Sequence, residues 1–551
     1  MKPIKLIIIL SVLFLVAGAV SSSAESGPNY TSRMYPGIDG KLIYVPDNNG
    51  NTIPDFSNAG YGGGGVPIPY VPVKETVWGV EGDATPVIQA AIDRVSALEQ
   101  DENGFRGAVL LKAGYYDLNS PLSISASGVV LRGEGQDQLG TIFIGRNITS
   151  EEKQGFRGRP PLIAVRGESS ESGEGRRFGG PPIWTTDDST VREITDEYVP
   201  VGARSFNVES VKGYKIGDTV LVRRVGNQDW INEIGENLEK HGWKPFTISY
   251  DRVITGIQGK TITVDAPIMC AIETQWGGGD VVKYSAPGRI SNVGIENLRA
   301  MSDFDQNVRQ KEYGNLDRHP YVAEEYYSDE QHWWHFMNIN NAENCWVKDI
   351  TGLHFAGNLV GVGSGGKWIT IQDCTNLEPV AMRWGARRTP FNLSGQLSLV
   401  QRCTSDRGRH SFVLGGYQAA GPNVFLDCTA TRSYSSSEPH SHWVTGALFD
   451  NVNGPLTARY WKDISIGWSG ANIVFWNCVG EFRIQQPPTA QNFTFGHIGV
   501  NSTAINLVFQ DNSKAEGYME SLDRHVTPGS LYLKQLEDRL GPQAAANIAK
   551  N

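Results

Sequence analysis

Short stretches in which apolar and polar residues alternate recur in the second half of the chain, and each ends at a cysteine. They occupy residues 368–374, 397–403, 423–428 and 472–478. The marker cysteines lie 29, 29, 25 and 50 residues apart, in the order Cys345, Cys374, Cys403, Cys428 and Cys478. A short strand every 25 to 29 residues is typical of a solenoid, in which each coil buries its apolar face against its neighbours. The 50-residue gap predicts one coil that lacks the cysteine.

The repeating cysteines have a structural interpretation. Strands of neighbouring coils lie about 4.8 Å apart, so cysteines at equivalent positions would form a column of small buried side chains. Six cysteines in 551 residues are too few for a disulfide framework. We therefore expect a ladder of free thiols, with disulfides as the alternative; Cys270 lies outside the repeat.

The first coils carry a different pattern. In residues 83–95 the apolar positions Val87, Ile88, Ala91, Ile92 and Val95 share one face of a helix. Three strand-like segments follow within residues 107–135. This order predicts a helix that covers the open end of a stack of β-coils.

These segments carry a resemblance to a known family. Asp-Ala-Thr-Pro-Val-Ile-Gln-Ala-Ala-Ile-Asp at 83–93, Gly-Tyr-Tyr-Asp-Leu at 114–118 and Val-Val-Leu-Arg-Gly-Glu-Gly at 129–135 resemble the N-terminal coils of the pectate-lyase superfamily. The resemblance covers roughly residues 78–150, and 290–510 by periodicity. It implies a right-handed parallel β-helix but not one reaction, because the superfamily includes lyases, hydrolases, epimerases and noncatalytic binders. The Asn-Thr-Asp-Gly and Trp-Ile-Asp-His motifs of its best-known enzymes are absent, so no catalytic residue is carried over.

The predicted fold is therefore all-β: a right-handed parallel β-helix with an N-terminal capping helix and a small inserted β domain. The expected segments are a signal peptide (1–24), an N-terminal extension (25–77), first coils with the capping helix and an irregular loop at 151–183 (78–196), an inserted β-barrel-like unit (197–285), the main β-helix with a long acidic and aromatic loop at 302–331 (286–515), and a C-terminal helical segment (516–551).

Composition narrows the setting of the protein. Lys2 and Lys5 precede an apolar run over residues 6–16, and residues 22–24 are small, as in a signal peptide. We expect a secreted or periplasmic monomer with no membrane partner. The formal net charge of −10 argues against nucleic-acid binding.

One stretch runs against the overall acidity. Between residues 380 and 410 the only acid is Asp406, whereas the arginines are Arg383, Arg387, Arg388, Arg402, Arg407 and Arg409. Guanidinium groups bind carboxylate or sulfate in a two-pronged geometry, so the stretch indicates an acidic polysaccharide substrate. The alternative is that acids of neighbouring coils neutralise these arginines. Trp384 and Trp443 would stack on sugar rings, unless they are packing residues.

The histidines give the candidate chemistry. Counted from their cysteines, His354, Arg383, Arg409, His410, His440 and His442 are expected to line one groove across four coils. On a strand Glu438, His440 and His442 share one face. We expect this cluster to be functional, with a structural role or a metal site as alternatives.

An Arg and His groove suits β-elimination on a uronate, because a cation neutralises the carboxylate while a neutral histidine removes the adjacent proton. The candidates are His410 or His442 as base, Arg409 as neutraliser, and His440 or Tyr434 as acid. His354, Arg383, Trp384, Arg387, Arg388, Arg407 and Trp443 are the candidate substrate-binding residues.

Two other functions stay open. A glycoside hydrolase needs a pair of carboxylates, for which Glu378 and Asp406 are the candidates. A noncatalytic glycan-binding solenoid would bind sugar without product. No cofactor is certain; Ca²⁺ is an open option, with Asp303, Asp305 and Asp406 as acidic groups. The sequence does not identify the polysaccharide or its sulfation.

Overall fold

The computed structural model describes residues 28–146, 148, 159–168, 184–236, 239–240, 242–311, 325–415, 419–464, 466–503 and 509–549. The predicted signal peptide lies outside these ranges. Among the residues described, no helix is long and apolar enough to cross a membrane.

Equivalent strands of successive coils pair in parallel. Trp346–Leu353 pairs on one side with Gly294–Ser302 and on the other with Thr370–Gln372 and Thr375–Leu377. The next coil continues the ladder with Leu399–Gln401 on Thr370–Gln372. Each pairing joins residues about one repeat apart, so the chain winds as a right-handed parallel β-helix, which confirms the predicted fold class.

The coils contribute strands to three faces, and the coils after Thr429–Thr431 contribute only isolated bridges to the second face. The first face contains Val73–Val77, Gly107–Leu111, Val129–Arg132, Gly294–Ser302, Trp346–Leu353, Thr370–Gln372, Leu399–Gln401, Ala420–Leu426, Val444–Asp450, Gly470–Ala471, Val474–Trp476, Phe493–Phe495 and Tyr518–Glu520. The second face contains Gly114–Leu118, Thr141–Gly145, Thr375–Leu377, Thr404–Asp406, Thr429–Thr431 and the ends of the two longest strands of the first face. The third face contains Leu122–Ile124, Pro161–Arg166, His335–Asn340, Val360–Val362, Phe391–Leu393, Phe412–Leu414 and Glu438–Pro439, and Leu456–Ala458 with Phe482–Ile484 continue it.

The cysteines of the repeat mark a bend. Cys374 lies between Thr370–Gln372 and Thr375–Leu377, and Cys403 lies at the same place one coil later. All six cysteines are buried free thiols. Cys374, Cys403, Cys428 and Cys478 form a column in the inner corner between the first and second faces, where a larger side chain would not fit without displacing its neighbours. Val452 takes this place in the coil that lacks a cysteine. The expectation that Cys345 belongs to the column is wrong, because it lies level with Ile369, at the start of the first face.

A helix covers the first coil. Thr85–Ser96 turns Ile88, Ala91, Ile92 and Val95 into the core. It lies against Val73–Val77 and Gly107–Leu111. Val87 is exposed, so the apolar face is narrower than the sequence pattern indicated.

The strand boundaries correct three expectations. Val73–Val77 is already part of the first coil, although it was expected in the N-terminal extension. Pro161–Arg166 is a strand of the third face inside the expected irregular loop 151–183. Tyr518–Glu520 adds a strand beyond the expected end of the β-helix at 515.

An antiparallel unit interrupts the coils between Glu168 and Gly288. Its seven-stranded sheet begins before the expected residue 197 and consists of Thr185–Thr186, Arg192–Glu193, Ser205–Asn207, Thr219–Val225, Thr247–Gln258, Thr261–Val264 and Gly279–Ser285. Tyr198–Val199 pairs with Ile272–Glu273, and the helical segments are Asp188–Thr190, Gln228–Glu233 and Thr274–Trp276. Entry and exit lie side by side: a Cβ atom on Gly167 would lie 2.1 Å from the carbonyl oxygen of Gly288.

The two ends of the chain pack on each other. The helices Leu531–Leu540 and Pro542–Ile548 follow the last coil. Gln535 Nε2 donates to the Pro54 carbonyl oxygen at 2.9 Å, and Tyr532 Oη donates to that of Ala59 at 2.5 Å. The C-terminal helix thus holds the N-terminal extension, which contains Met34–Pro36, Leu42–Tyr44 and Tyr61–Gly63.

Three small pairings complete the list of elements. They are Ile290–Ser291 with Ala342–Glu343, Arg309–Lys311 with Glu325–Tyr327, and Tyr460–Trp461 with Gly467–Trp468.

Candidate active site

The structure brings His410, Glu438 and His440 together at the edge of the third face. His410 precedes the strand Phe412–Leu414, and Glu438 begins the equivalent strand of the next coil. That strand is two residues long, so His440 directly follows it, beside the preceding coil. The two imidazole rings lie 4.7 Å apart, centre to centre.

Glu438 is the centre of a hydrogen-bond network. His440 Nδ1 donates to its Oε1 at 2.6 Å. Its Oε2 accepts from Thr457 Oγ1 at 2.7 Å and from Ser436 Oγ at 3.1 Å. The carboxylate is fully buried, whereas the His440 side chain is 28% exposed. The His440 ring is therefore accessible to solvent, and its hydrogen bond to the buried Glu438 carboxylate fixes its orientation.

The electrostatics fix the protons of this network. Burial would raise the pKa of Glu438, but the hydrogen bond that His440 donates and the nearby basic groups His440 and Arg459 lower it below its usual value. An ionised carboxylate accepts hydrogen bonds only, so His440 carries its proton on Nδ1 when neutral. Its Nε2 then holds the free electron pair.

His410 is buried behind His440. Its Nδ1 donates to the Ser436 carbonyl oxygen at 2.7 Å and lies 3.3 Å from Glu438 Oε1. Burial lowers the pKa of His410 well below its usual value, so this ring is neutral near pH 7. Its buried Nε2 has no hydrogen-bond partner among the residues that the structure describes.

The same three side chains are also the metal-binding candidates among the described residues. Their donor atoms lie within 4.8 Å of one another, and two imidazoles with a carboxylate suit Zn²⁺. However, the Nδ1 atoms of both histidines carry protons, donated to Glu438 and to the Ser436 carbonyl. The observed geometry is therefore that of a proton network.

His442 and Tyr434 are packed against other parts of the protein. His442 is buried, and its ring packs edge-on against Trp243 of the inserted unit at 4.9 Å. The expectation that it shares a face with Glu438 and His440 is wrong, because the strand ends at Pro439 and the chain bends. Tyr434 is buried beside Arg383, whose guanidinium lies 4.4 Å from its ring centre.

The expected single groove is divided between two corners of the β-helix. His354, Arg383 and Arg409 lie in successive turns between the second and third faces. His440 and His442 lie after the third face. The short strand at Glu438 nevertheless brings His440 within contact of His410.

Most of the arginines are engaged within the protein. Arg387 donates to both carboxylate oxygens of Glu330, at 2.5 and 2.8 Å, and Arg402 pairs with Asp373. Arg388 is 2% exposed and donates to the Ala381 carbonyl oxygen. Arg409 donates to the Gly385 carbonyl oxygen at 2.7 Å. Arg387 and Arg402 are thus neutralised by carboxylates, whereas Arg388 and Arg409 keep their charge but are held by carbonyl oxygens. The sequence indicated a continuous free patch, and the structure instead leaves Arg407 with 42% of its side chain exposed.

The two candidate sugar platforms differ. Trp443 is fully buried and packs edge-on against Trp230 at 5.1 Å, so it offers no surface to a sugar. Trp384 is 37% exposed, and Arg387 lies over its ring at 5.0 Å. His354 is partly buried against Phe304, and burial lowers its pKa.

The carboxylates that were candidates for hydrolysis or for Ca²⁺ binding lie close to other groups of the protein. Asp406 accepts from Arg432 Nε at 2.6 Å and Nη2 at 2.5 Å, and Glu378 lies exposed near His354. Asp303 pairs with Arg146, and Asp305 accepts from the backbone of Asn307. Asp406 is thus held as an ion-pair partner, which does not favour the hydrolase assignment.

The sequence analysis missed two neighbours of the site. Trp461 lies 5.5 Å from the His440 ring, and the buried Arg459 guanidinium lies 3.9 Å from the Trp461 ring. Both follow the strand Leu456–Ala458 in the next coil, where no cysteine marks the repeat. Both residues follow His440 by about one coil, and this spacing could have indicated that they lie next to it.

The solved structures similar to the chain include phage tailspikes. No protein-family model matches it, and neither does any curated protein. The tailspike gp49 of Pseudomonas phage LKA1 is 11% identical with a TM-score of 0.40, and the match covers 75% of this chain and 56% of that protein. The tailspike of E. coli bacteriophage HK620, solved with a pentasaccharide, is 11% identical with a TM-score of 0.37, covering 86% and 62%. The chain thus spans about three fifths of the length of these structures.

Proposed function

We propose that the protein is a polysaccharide lyase that cleaves an acidic, uronate-containing glycan by β-elimination, with His440 as the proton-transfer group. The observation that carries the proposal is the 2.6 Å hydrogen bond between the buried Glu438 carboxylate and the partly exposed His440. A carboxylate behind a histidine orients the ring and stabilises the imidazolium that forms on proton transfer.

The reaction follows from the free Nε2 of His440. This atom takes the proton at C5 of the uronate, the C5–H electron pair forms the C4=C5 double bond, and the C4–O bond breaks. The resulting imidazolium can return its proton to the leaving oxygen. Arg409, beside His410, is the proposed cation that neutralises the uronate carboxylate.

The proposal also includes the location of the enzyme and its resemblance to a known superfamily. The predicted signal peptide would deliver the enzyme to the periplasm or the exterior, where acidic polysaccharides are found. The resemblance of residues 83–135 to the pectate-lyase superfamily fits an enzyme that acts on polysaccharides, and the choice of elimination over hydrolysis rests on the histidine network.

The first experiment measures the ultraviolet absorbance of the unsaturated uronate product across a panel of acidic polysaccharides. His440→Ala should lower the rate by about 10²–10⁴-fold, the range for loss of a general base. His525→Ala, an exposed histidine near the C-terminus, is the matched control and should keep full activity.

Three results would overturn the proposal. An unchanged rate in His440→Ala would exclude the assigned base. New reducing ends without absorbance, lost in Glu378→Gln, would favour a hydrolase. Binding of acidic glycans without product would identify a noncatalytic solenoid.

A further inference from the structure

A cleft of about 380 Å³ lies where three parts of the chain meet, away from the histidine network. The N-terminal extension contributes Asn49, the inserted unit contributes Trp276, and the coils contribute Gln486 and Phe493. The volume is within the range of small-ligand sites, and junctions between structural units are where such sites often form.

Aromatic rings form part of the wall. Trp276, Tyr198, Phe493 and Tyr518 all line the cleft and are all partly exposed. The ring of Tyr198 is held in place, because its hydroxyl donates to Asn51 Oδ1 at 2.8 Å. The same oxygen accepts from the backbone of Val201 at 2.9 Å, so the extension and the inserted unit are tied together at this wall.

Side-chain amides form the rim. The side chains of Asn49 and Gln486 are exposed, and neither makes a hydrogen bond to any residue in the described part of the chain. Gln275 uses its Nε2 on Glu273 at 3.0 Å and keeps its oxygen available. An amide offers both donors and acceptors, as a sugar hydroxyl does, so the two match without any charge.

The charge of the cleft argues against an acidic ligand. Its charged lining residues are Arg33, Asp47 and Glu273. One cation against two carboxylates gives no site for a uronate or a sulfate. The contrast with the arginine-rich turns around Arg383 and Arg409 separates the two regions chemically.

We propose that this cleft binds an uncharged oligosaccharide. The apolar face of one pyranose ring packs on Trp276, and the hydroxyls at its edge bond to the amides of Gln486 and Asn49. This inference is independent of the lyase proposal, because no residue of the histidine network lines the cleft.

The test is isothermal titration of the full chain with cellohexaose, mannohexaose, laminarihexaose and xylohexaose, with hexagalacturonate as the charged comparison. At least one neutral probe should bind. Trp276→Ala and Gln486→Ala should each weaken binding about tenfold or more, the loss expected for a central contact. Trp78→Ala, a tryptophan that is 63% exposed elsewhere, should bind as the unaltered protein does.

Because Gln486 is exposed, Gln486→Ala should fold normally even if Trp276→Ala does not, so it still tests the cleft. His440→Ala, which lies outside the cleft, should bind the neutral probe as tightly as the unaltered protein does. The proposal is wrong if none of the neutral probes binds at millimolar concentration. It is equally wrong if both cleft variants bind normally, or if hexagalacturonate binds and the neutral probes do not. If His440→Ala did not change the rate of cleavage, the lyase proposal would fail, but the proposal for the cleft would still stand.

Discussion

At the scale of single residues, burial decides the chemistry of the cysteine column. Removal from water raises the pKa of the Cys403 and Cys428 thiols well above their usual value, and it also raises that of Cys478. A thiolate is the reactive form, so these side chains are held in their inert state. Their role is to fill the corner of the coil.

This burial predicts the reactivity of the thiols. In the native protein, Ellman's reagent should label on average less than one cysteine per molecule over minutes, because all six cysteines are buried. After unfolding in guanidinium without reductant, all six should react. Fast labelling of the folded protein would contradict the burial, and fewer than six after unfolding would reveal disulfides.

The arginines show what periodicity can and cannot predict at this scale. Arg402 and Asp373 lie 29 residues apart, one coil, so their pairing could have been predicted from the repeat. Arg387 instead pairs with Glu330, which the chain reaches through a long loop before the coils resume. No local pattern contains that contact, and the arginine patch was therefore overestimated.

At the scale of elements, the C-terminal helix is joined to the coils through one buried acid. Asp450 Oδ2 accepts from Ser530 Oγ at 2.7 Å and from the Tyr532 backbone at 2.8 Å, at the first turn of Leu531–Leu540. Burial raises the pKa of Asp450 to about 7. The acid is therefore neutral in the folded protein at mildly acidic pH.

The raised pKa sets a direction for stability against pH. Because the folded protein binds this proton more tightly than the unfolded chain, the stabilisation is complete below about pH 4 and is lost as pH rises through about 7. The full loss is on the order of 4 kcal/mol. Asp450→Asn, which is neutral throughout, should lack this loss.

The measurement is the melting temperature of both proteins between pH 5 and 8. As pH rises, the melting temperature of the unaltered protein should fall relative to that of Asp450→Asn. Parallel curves would show that Asp450 does not titrate in this range.

The elements themselves were predicted unevenly. The strand before each cysteine and the helix Leu531–Leu540 are set by local periodicity, so the sequence indicated them well. The two-residue strand at Glu438–Pro439 is too short to have a period, and its bend moved His442 out of the site. The lining of the cleft comes from three distant segments and had no signal in the sequence.

At the scale of the whole molecule, a buried ion triad joins the inserted unit to the β-helix. Asp251 of the unit accepts from Lys367 Nζ at 2.6 Å and from Arg289 Nη1 at 3.0 Å. Burial would raise the pKa of Asp251, but these two cations outweigh it and lower the pKa to about 2. All three groups of the triad are therefore charged, and Arg289 also pairs with Glu343.

Loss of one partner should be costly. Asp251→Ala leaves Lys367 buried without its carboxylate and should lower the free energy of unfolding by about 3–5 kcal/mol. Urea unfolding followed by tryptophan fluorescence measures this. Glu75→Ala, which breaks an exposed pair with Arg94, is the control and should change little. A small effect of Asp251→Ala would show that water or rearrangement satisfies the lysine.

The adjacent ends of the inserted unit also bear on ancestry. Because Gly167 and Gly288 touch, a short linker could close the coil if the unit were absent, and the ladder from Pro161–Arg166 to His335–Asn340 would persist. A protein with the same coils could therefore carry a different unit at this position. Since the unit of this chain supplies Trp276, such an exchange would replace one wall of the cleft and leave Glu438 and His440 in place. Ligand preference and chemistry could then evolve separately in one chain.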